Sequence, residues 1–171
     1  MKRIFSCFLI LAFAALQINC ERDDICGGTT PTTPRVVIKF YDYNNTSLEK
    51  PVTLLSALAM GSDSIKRFNA IDSIMLPLKT DAISTTYTLT LNDDDNPATP
   101  TFTDELKFNY TTREEYVSRA CGYKTVFQLS DENGIPAIIL NNGGAAEWIR
   151  NIVIDTRTIA FENETHIRIY F

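Results

Sequence analysis

The chain has 171 residues, a 44% hydrophobic share, a 22% charged share and a formal net charge of −5. Glycine and proline number seven each, so the balance fits one globular domain and excludes disordered and collagen-like classes. An acidic surface without a basic stripe repels phosphate backbones, which argues against a nucleic-acid partner.

"MKRIFSCFLILAFAALQIN", Met1–Asn19, opens with two cations and then runs uncharged from Ile4 to Asn19. That is the layout of a secretory leader, and its apolar part is short for a membrane span of about 20 residues. The expected plan is a leader over 1–19, a tether over 20–34 and a folded domain over 35–171. Cys20 stands where a bacterial lipoprotein carries its lipidated cysteine. The residues before it depart from the strict pattern: Leu16 lies four positions back, Gln17 three back, and Asn19 directly precedes it. The small-x-small stretch Ala12–Ala14 comes too early for ordinary leader cleavage.

Four cysteines occur: Cys7, Cys20, Cys26 and Cys121. Cys7 leaves with the leader, and lipidation would occupy Cys20. The remaining two, Cys26 and Cys121, are then expected to pair in an oxidising compartment. The competing arrangement is a Cys20–Cys26 bridge in an unlipidated chain, with Cys121 free. Three thiols at this spacing and a single histidine match no zinc pattern, so no metal or other cofactor is expected. The tether continues as "GGTTPTTP", loosened by Gly27 and Gly28 and stiffened by Pro31 and Pro34.

From Arg35 the chain reads as strands. "RVVIKFYD" alternates Val36, Ile38 and Phe40 with Val37, Lys39 and Tyr41. "VTLLSALAM", Val52–Met60, sits between turns and is expected to be a strand. "SIMLPL", Ser73–Leu78, contains Pro77 and suits an edge. "STTYTLTLN", Ser84–Asn92, and "TDELKFNYT", Thr103–Thr111, show clean period-2 alternation. "EEYVSRACGYKTVFQLS" gives two runs around Gly122. "AAEWIR", Ala145–Arg150, fits one short helical turn. "NIVIDTRTI" and "ETHIRIYF" close the chain, with Ile167, Ile169 and Phe171 expected inward, and His166, Arg168 and Tyr170 outward. The expectation is an all-β, Ig-like sandwich of about eight to ten short strands. A small outer-membrane β-barrel is the alternative, suggested by the terminal aromatic strand.

Candidate chemistry is sparse. His166 has no identifiable orienting partner for general-base work. No Gly-x-Ser-x-Gly elbow exists. "DDDN", Asp93–Asn96, lacks EF-hand spacing and reads as a solvated loop tip. "NNGG", Asn141–Gly144, suits a tight turn and lacks the Lys-Ser/Thr of a phosphate loop. Trp148 reads as a core anchor before a ligand platform. Glu114 and Glu115 are neighbours on one strand and point oppositely, so they cannot form a catalytic pair.

"CERDDIC", "TTPR", "YVSRACGYKTVFQL" and "ETHIRIYF" together resemble a family of small Bacteroidetes lipoproteins of unknown function. The resemblance implies an envelope lipoprotein, with Glu21, Asp23 and Asp24 as a surface-export signal behind Cys20. A plain solvated tether is the competing reading of those acids. The resemblance implies no activity. The function expected is a non-catalytic binding or scaffolding module at the outer membrane, on its periplasmic face or on the cell surface. Its partners would be the membrane, through the lipid, and an envelope protein or glycan met by an aromatic patch of Tyr41, Tyr43, Tyr123 and Tyr170. The alternative is an envelope hydrolase acting on cell-wall or glycan material through converging carboxylates.

Overall fold

The computed structural model describes residues 25–171, apart from 95, 97, 133 and 143–146. The leader, Cys20 and the acids Glu21, Asp23 and Asp24 lie outside the described residues. The chain divides into two compact units. Among the described residues the smaller holds Ile25–Thr30 and Tyr116–Tyr123, and the larger holds Pro31–Glu115 and Lys124–Phe171.

The described residues form eleven strands and no helix. In chain order they are β1 (Val36–Tyr41), β2 (Leu55–Ala59), β3 (Ile65–Phe68), β4 (Ser73–Leu76), β5 (Ser84–Leu91) and β6 (Phe102–Ser118). Then follow β7 (Gly122–Leu129), β8 (Ile138–Asn142), β9 (Asn151–Ile154), β10 (Thr158–Ile159) and β11 (Ile167–Tyr170). One sheet runs β4-β1-β11-β9, and the other β10-β7-β6-β5-β2-β3, with β8 also paired to β6. The protein is thus an all-β, two-sheet sandwich. Both sheets are open paths with outer strands, so the described strands do not close into the alternative barrel. The span expected to make a helical turn contains none at 147–150; Ala145 and Ala146 lie outside the described residues.

The period-2 pattern builds the core. Val36, Ile38 and Phe40 of β1, Ile167 and Ile169 of β11, and Ile74 and Leu76 of β4 are buried together from the first sheet. Tyr87 and Leu89 of β5, Leu106 and Phe108 of β6, and Phe127 and Leu129 of β7 join them from the second. Strand β1 pairs in parallel with β11 and antiparallel with β4, so the first and last strands of the domain lie side by side. Parallel neighbours need a long crossover, and nearly the whole domain supplies it.

Two expected faces differ. His166 is fully buried at 0% exposure, and Tyr170 is also buried, although alternation placed both outward. His166 Nδ1 accepts the Val37 N–H at 2.9 Å, and the His166 N–H donates to the Val37 carbonyl at 3.0 Å. The ring therefore seals the β1–β11 seam. Tyr170 lies against Tyr41 with ring centroids 5.7 Å apart, and its hydroxyl accepts from Arg168 at 2.9 Å.

Candidate functional site

Strand β2 is shorter than the apolar run "VTLLSALAM" because the chain kinks at Leu54. Val52 makes an isolated bridge with Ile71, and Leu54 adopts φ +47° before β2 begins at Leu55. Ala70 at φ +53° and Asn92 at φ +60° share this left-handed conformation, which costs roughly 1–2 kcal/mol for a residue with a Cβ. The kink is held by hydrogen bonds. Leu54 N–H donates to Asn69 Oδ1 at 3.2 Å, and the Asp93 N–H donates to the Leu54 carbonyl at 2.8 Å.

The result is a recess of about 130 Å³ lined by Leu54, Leu55, Arg67, Phe68, Asn69 and Asp93. That is close to the size of a cavity that takes a benzene ring. Its walls are largely apolar, and Arg67 approaches Asp93 at 3.8 Å. Non-glycine residues in strained conformations gather where surrounding structure over-determines them, often at ligand-binding places. The recess adjoins β3, an outer strand whose Lys66 and Arg67 are exposed. Charged side chains on an edge also discourage unwanted strand pairing. Chemically, the arrangement suits holding a small apolar group beside a charge pair; it offers no nucleophile–base pair.

Among the residues singled out by sequence, Trp148 is in the core. Its ring lies 6.2 Å from Phe40 and 5.3 Å from Phe171, and its Nε1–H donates to the Leu89 carbonyl at 3.3 Å. In the Asp93–Asn96 stretch, Asp94 caps its neighbours. Asp94 accepts the Asn96 N–H at 2.9 Å and the Thr99 hydroxyl at 2.7 Å; chiefly the Thr99 bond lowers its pKa. Asp95 lies outside the described residues, as do Gly143 and Gly144. Asn141 and Asn142 are the last residues of β8. Among the described residues, no three His, Cys, Asp or Glu side chains gather in metal-binding geometry. Glu115 pairs with Arg113 at 2.6 Å and with Lys124 at 3.3 Å, so it serves as a structural counter-ion.

His166 is a buried neutral imidazole. Burial lowers its pKa, opposed by the carboxylates of Glu164 and Glu162 and by the Phe161 carbonyl. With Nδ1 accepting a hydrogen bond, the proton of the neutral ring is assigned to Nε2. Among the described residues, no group meets Nε2 in hydrogen-bond geometry. Tyr87 donates to the Pro77 carbonyl at 2.5 Å, and burial pushes its pKa up to about 12. Tyr110 donates to the Lys79 carbonyl at 2.8 Å and bonds the Thr85 hydroxyl at 2.6 Å.

Sequence reasoning missed Asp104. It is fully buried on β6, where its Oδ2 accepts the N–H groups of Trp148 at 3.1 Å and Ile149 at 2.9 Å. The available signal was its place in line with Leu106, Phe108 and Tyr110 on the core face. The Leu54 kink carried no signal, because no glycine marks it.

Of the four tyrosines, Tyr43 and Tyr123 are exposed, Tyr41 is half-buried and Tyr170 buried. Tyr123 belongs to the smaller unit and meets Tyr116 edge-on, with ring centroids 5.5 Å apart. The same unit contains a disulfide between Cys26 and Cys121. Its hairpin turns where Ser118 Oγ accepts the Cys121 N–H at 3.1 Å. Gly122 takes φ +68° there, which a residue with a Cβ adopts only at a cost.

An open β-sandwich with a strained recess, and a hairpin joined by a disulfide to the N-terminal segment, define an all-β module without a recognisable catalytic constellation among the described residues. Residues 54–171 match a family of unknown function, DUF6452, and the chain belongs to that family. The match includes the SRACGYK segment and the closing strand, whereas CERDDIC and TTPR precede it. No curated protein and no solved structure matches the chain.

Proposed function

We propose that this protein is a lipid-anchored cell-envelope module that binds a partner rather than catalysing a reaction. In this reading residues 1–19 are removed, Cys20 is acylated, 20–34 form the tether and 35–171 the binding domain. The host is a Bacteroidetes cell and the membrane its outer membrane, a placement supported by the resemblance of the N-terminal segment to such lipoproteins. Glu21, Asp23 and Asp24 then act as a surface-export signal.

The observation that carries the reading is the pairing of Cys26 with Cys121. It suits an oxidising compartment, and it leaves Cys20 as the thiol available for acylation once Cys7 departs with the leader. The binding role draws support from the recess at Leu54–Asp93, which offers apolar walls and a charge pair to a protein side chain or glycan substituent.

Intact-mass analysis of the chain extracted from membranes tests the anchor. The expected product starts at Cys20 and carries acyl chains and one disulfide. A product starting elsewhere, or with an unmodified Cys20 thiol, would refute it. Protease shaving of intact cells then separates the faces: loss of a C-terminal epitope means surface exposure, and protection means a periplasmic domain.

A further inference from the structure

We propose that the hairpin tip of the smaller unit, joined by a disulfide to the N-terminal segment, docks into the headgroup zone of a lipid bilayer through Ile25, Tyr116 and Tyr123. The inference rests on the Cys20 anchor proposed above. Three observations lead to it.

The first is exposure. Ile25 is 84% exposed, Tyr116 62% and Tyr123 65%, all within one small unit. Tyrosine has an apolar ring and a polar hydroxyl, so it suits the boundary between water and hydrocarbon. The two rings already meet edge-on, which limits the rotamer freedom to be lost on docking.

The second is charge. The sequence contains 21 acidic residues, yet Ile25–Thr30 and Tyr116–Tyr123 include none, and Arg119 is their one charged side chain. Desolvating a carboxylate in the headgroup zone would be costly, and Ile25–Thr30 and Tyr116–Tyr123 bring none there. The acids Glu21, Asp23 and Asp24 sit between Cys20 and Ile25. They weigh against anionic lipid, so the surface is a zwitterionic one.

The third is reach. Cys26 follows Cys20 by six positions, which even fully extended span at most about 20 Å. The disulfide passes that limit to the hairpin, because the Cα atoms of Cys26 and Cys121 are 5.0 Å apart. An acylated Cys20 therefore confines the tip near the bilayer whatever path the linker takes. At the effective concentration set by so short a linker, a weak contact suffices.

The test uses the full chain, processed in cells, extracted from membranes and returned to phosphatidylcholine vesicles with acyl chains brominated near the headgroup. Tyr123→Trp places an indole at the tip, and the unsubstituted protein, with buried Trp148, supplies the baseline. The indole at position 123 is expected to lose about half its emission to bromine, as a side chain in the interfacial aromatic belt would. Tyr116→Trp should behave alike, which guards against one variant perturbing the hairpin. An acylated Cys20 with no quenching at either position overturns the docking and leaves the anchor standing. An unacylated Cys20, read from the mass of the same sample, overturns the anchor and the docking with it.

Discussion

Replacing Asp104 with alanine is expected to cost about 2–4 kcal/mol of folding free energy. The carboxylate accepts two backbone N–H groups, from Trp148 and Ile149, and both of those residues are buried. Each orphaned donor costs roughly 1–3 kcal/mol. Removing the fully buried carboxylate, whose Oδ1 has no hydrogen-bond partner among the described residues, returns part of its desolvation penalty, which places the net below the sum of the two donors. Urea unfolding followed by Trp148 emission measures the loss, because the single tryptophan is the residue Asp104 holds in place. Far-UV circular dichroism run in parallel separates global unfolding from local release of the indole. A loss below about 0.5 kcal/mol by both signals would refute the reasoning, since surface-like values mean those amides find other partners.

Removing the disulfide with Cys26→Ser and Cys121→Ser should cost ~4–5 kcal/mol in the chain-entropy account, given a sequence separation of 95. Urea titration would show it, and a change under about 1 kcal/mol would mean the crosslink restrains the denatured chain little. Burial lowers the His166 pKa from its ordinary 6.5, so the unfolded chain takes up that proton first as pH falls. The His166 contribution to stability is therefore complete above pH 6.5 and declines as pH drops through the folded-state value, by at most about 1.4 kcal/mol per pH unit. His166→Asn, which retains an acceptor for Val37, should flatten this slope relative to the parent; an unchanged slope would assign the acid sensitivity to other groups. Ala70→Gly should stabilise the fold by up to about 1 kcal/mol, because left-handed strain is relieved at an exposed residue. Destabilisation in a thermal melt would contradict that account.

Strands β1, β5 and the first half of β6 were legible because one face is buried and alternation records it. β3 escaped notice because "IKRF" is an exposed outer strand with no alternation to read, and β8 because its asparagines resembled a turn. The single 17-residue β6 was read as two runs, since nothing local shows that "TTREE" continues the strand. The recess was illegible for a different reason. Leu54, Ala70 and Asn92 take conformations that sequence associates with glycine, and the hydrogen bonds Leu54 donates to Asn69 and accepts from Asp93 hold it there.

Alternation of apolar and polar residues determined by itself that this chain is built of strands, because side chains in a strand point to opposite faces with a period of two. Cysteine count left Cys26–Cys121 and Cys20–Cys26 both open, the first being expected only with Cys20 lipidated, and the structure joins Cys26 to Cys121. Tertiary structure alone decided which polar residues enter the core. His166 and Asp104 are buried because particular backbone N–H groups, brought from 129 and 44 or 45 residues away, need acceptors there. An unpaired buried backbone donor is costly, a polar side chain that accepts from it offsets that cost, and the donors to be satisfied are known only once the sheets have packed.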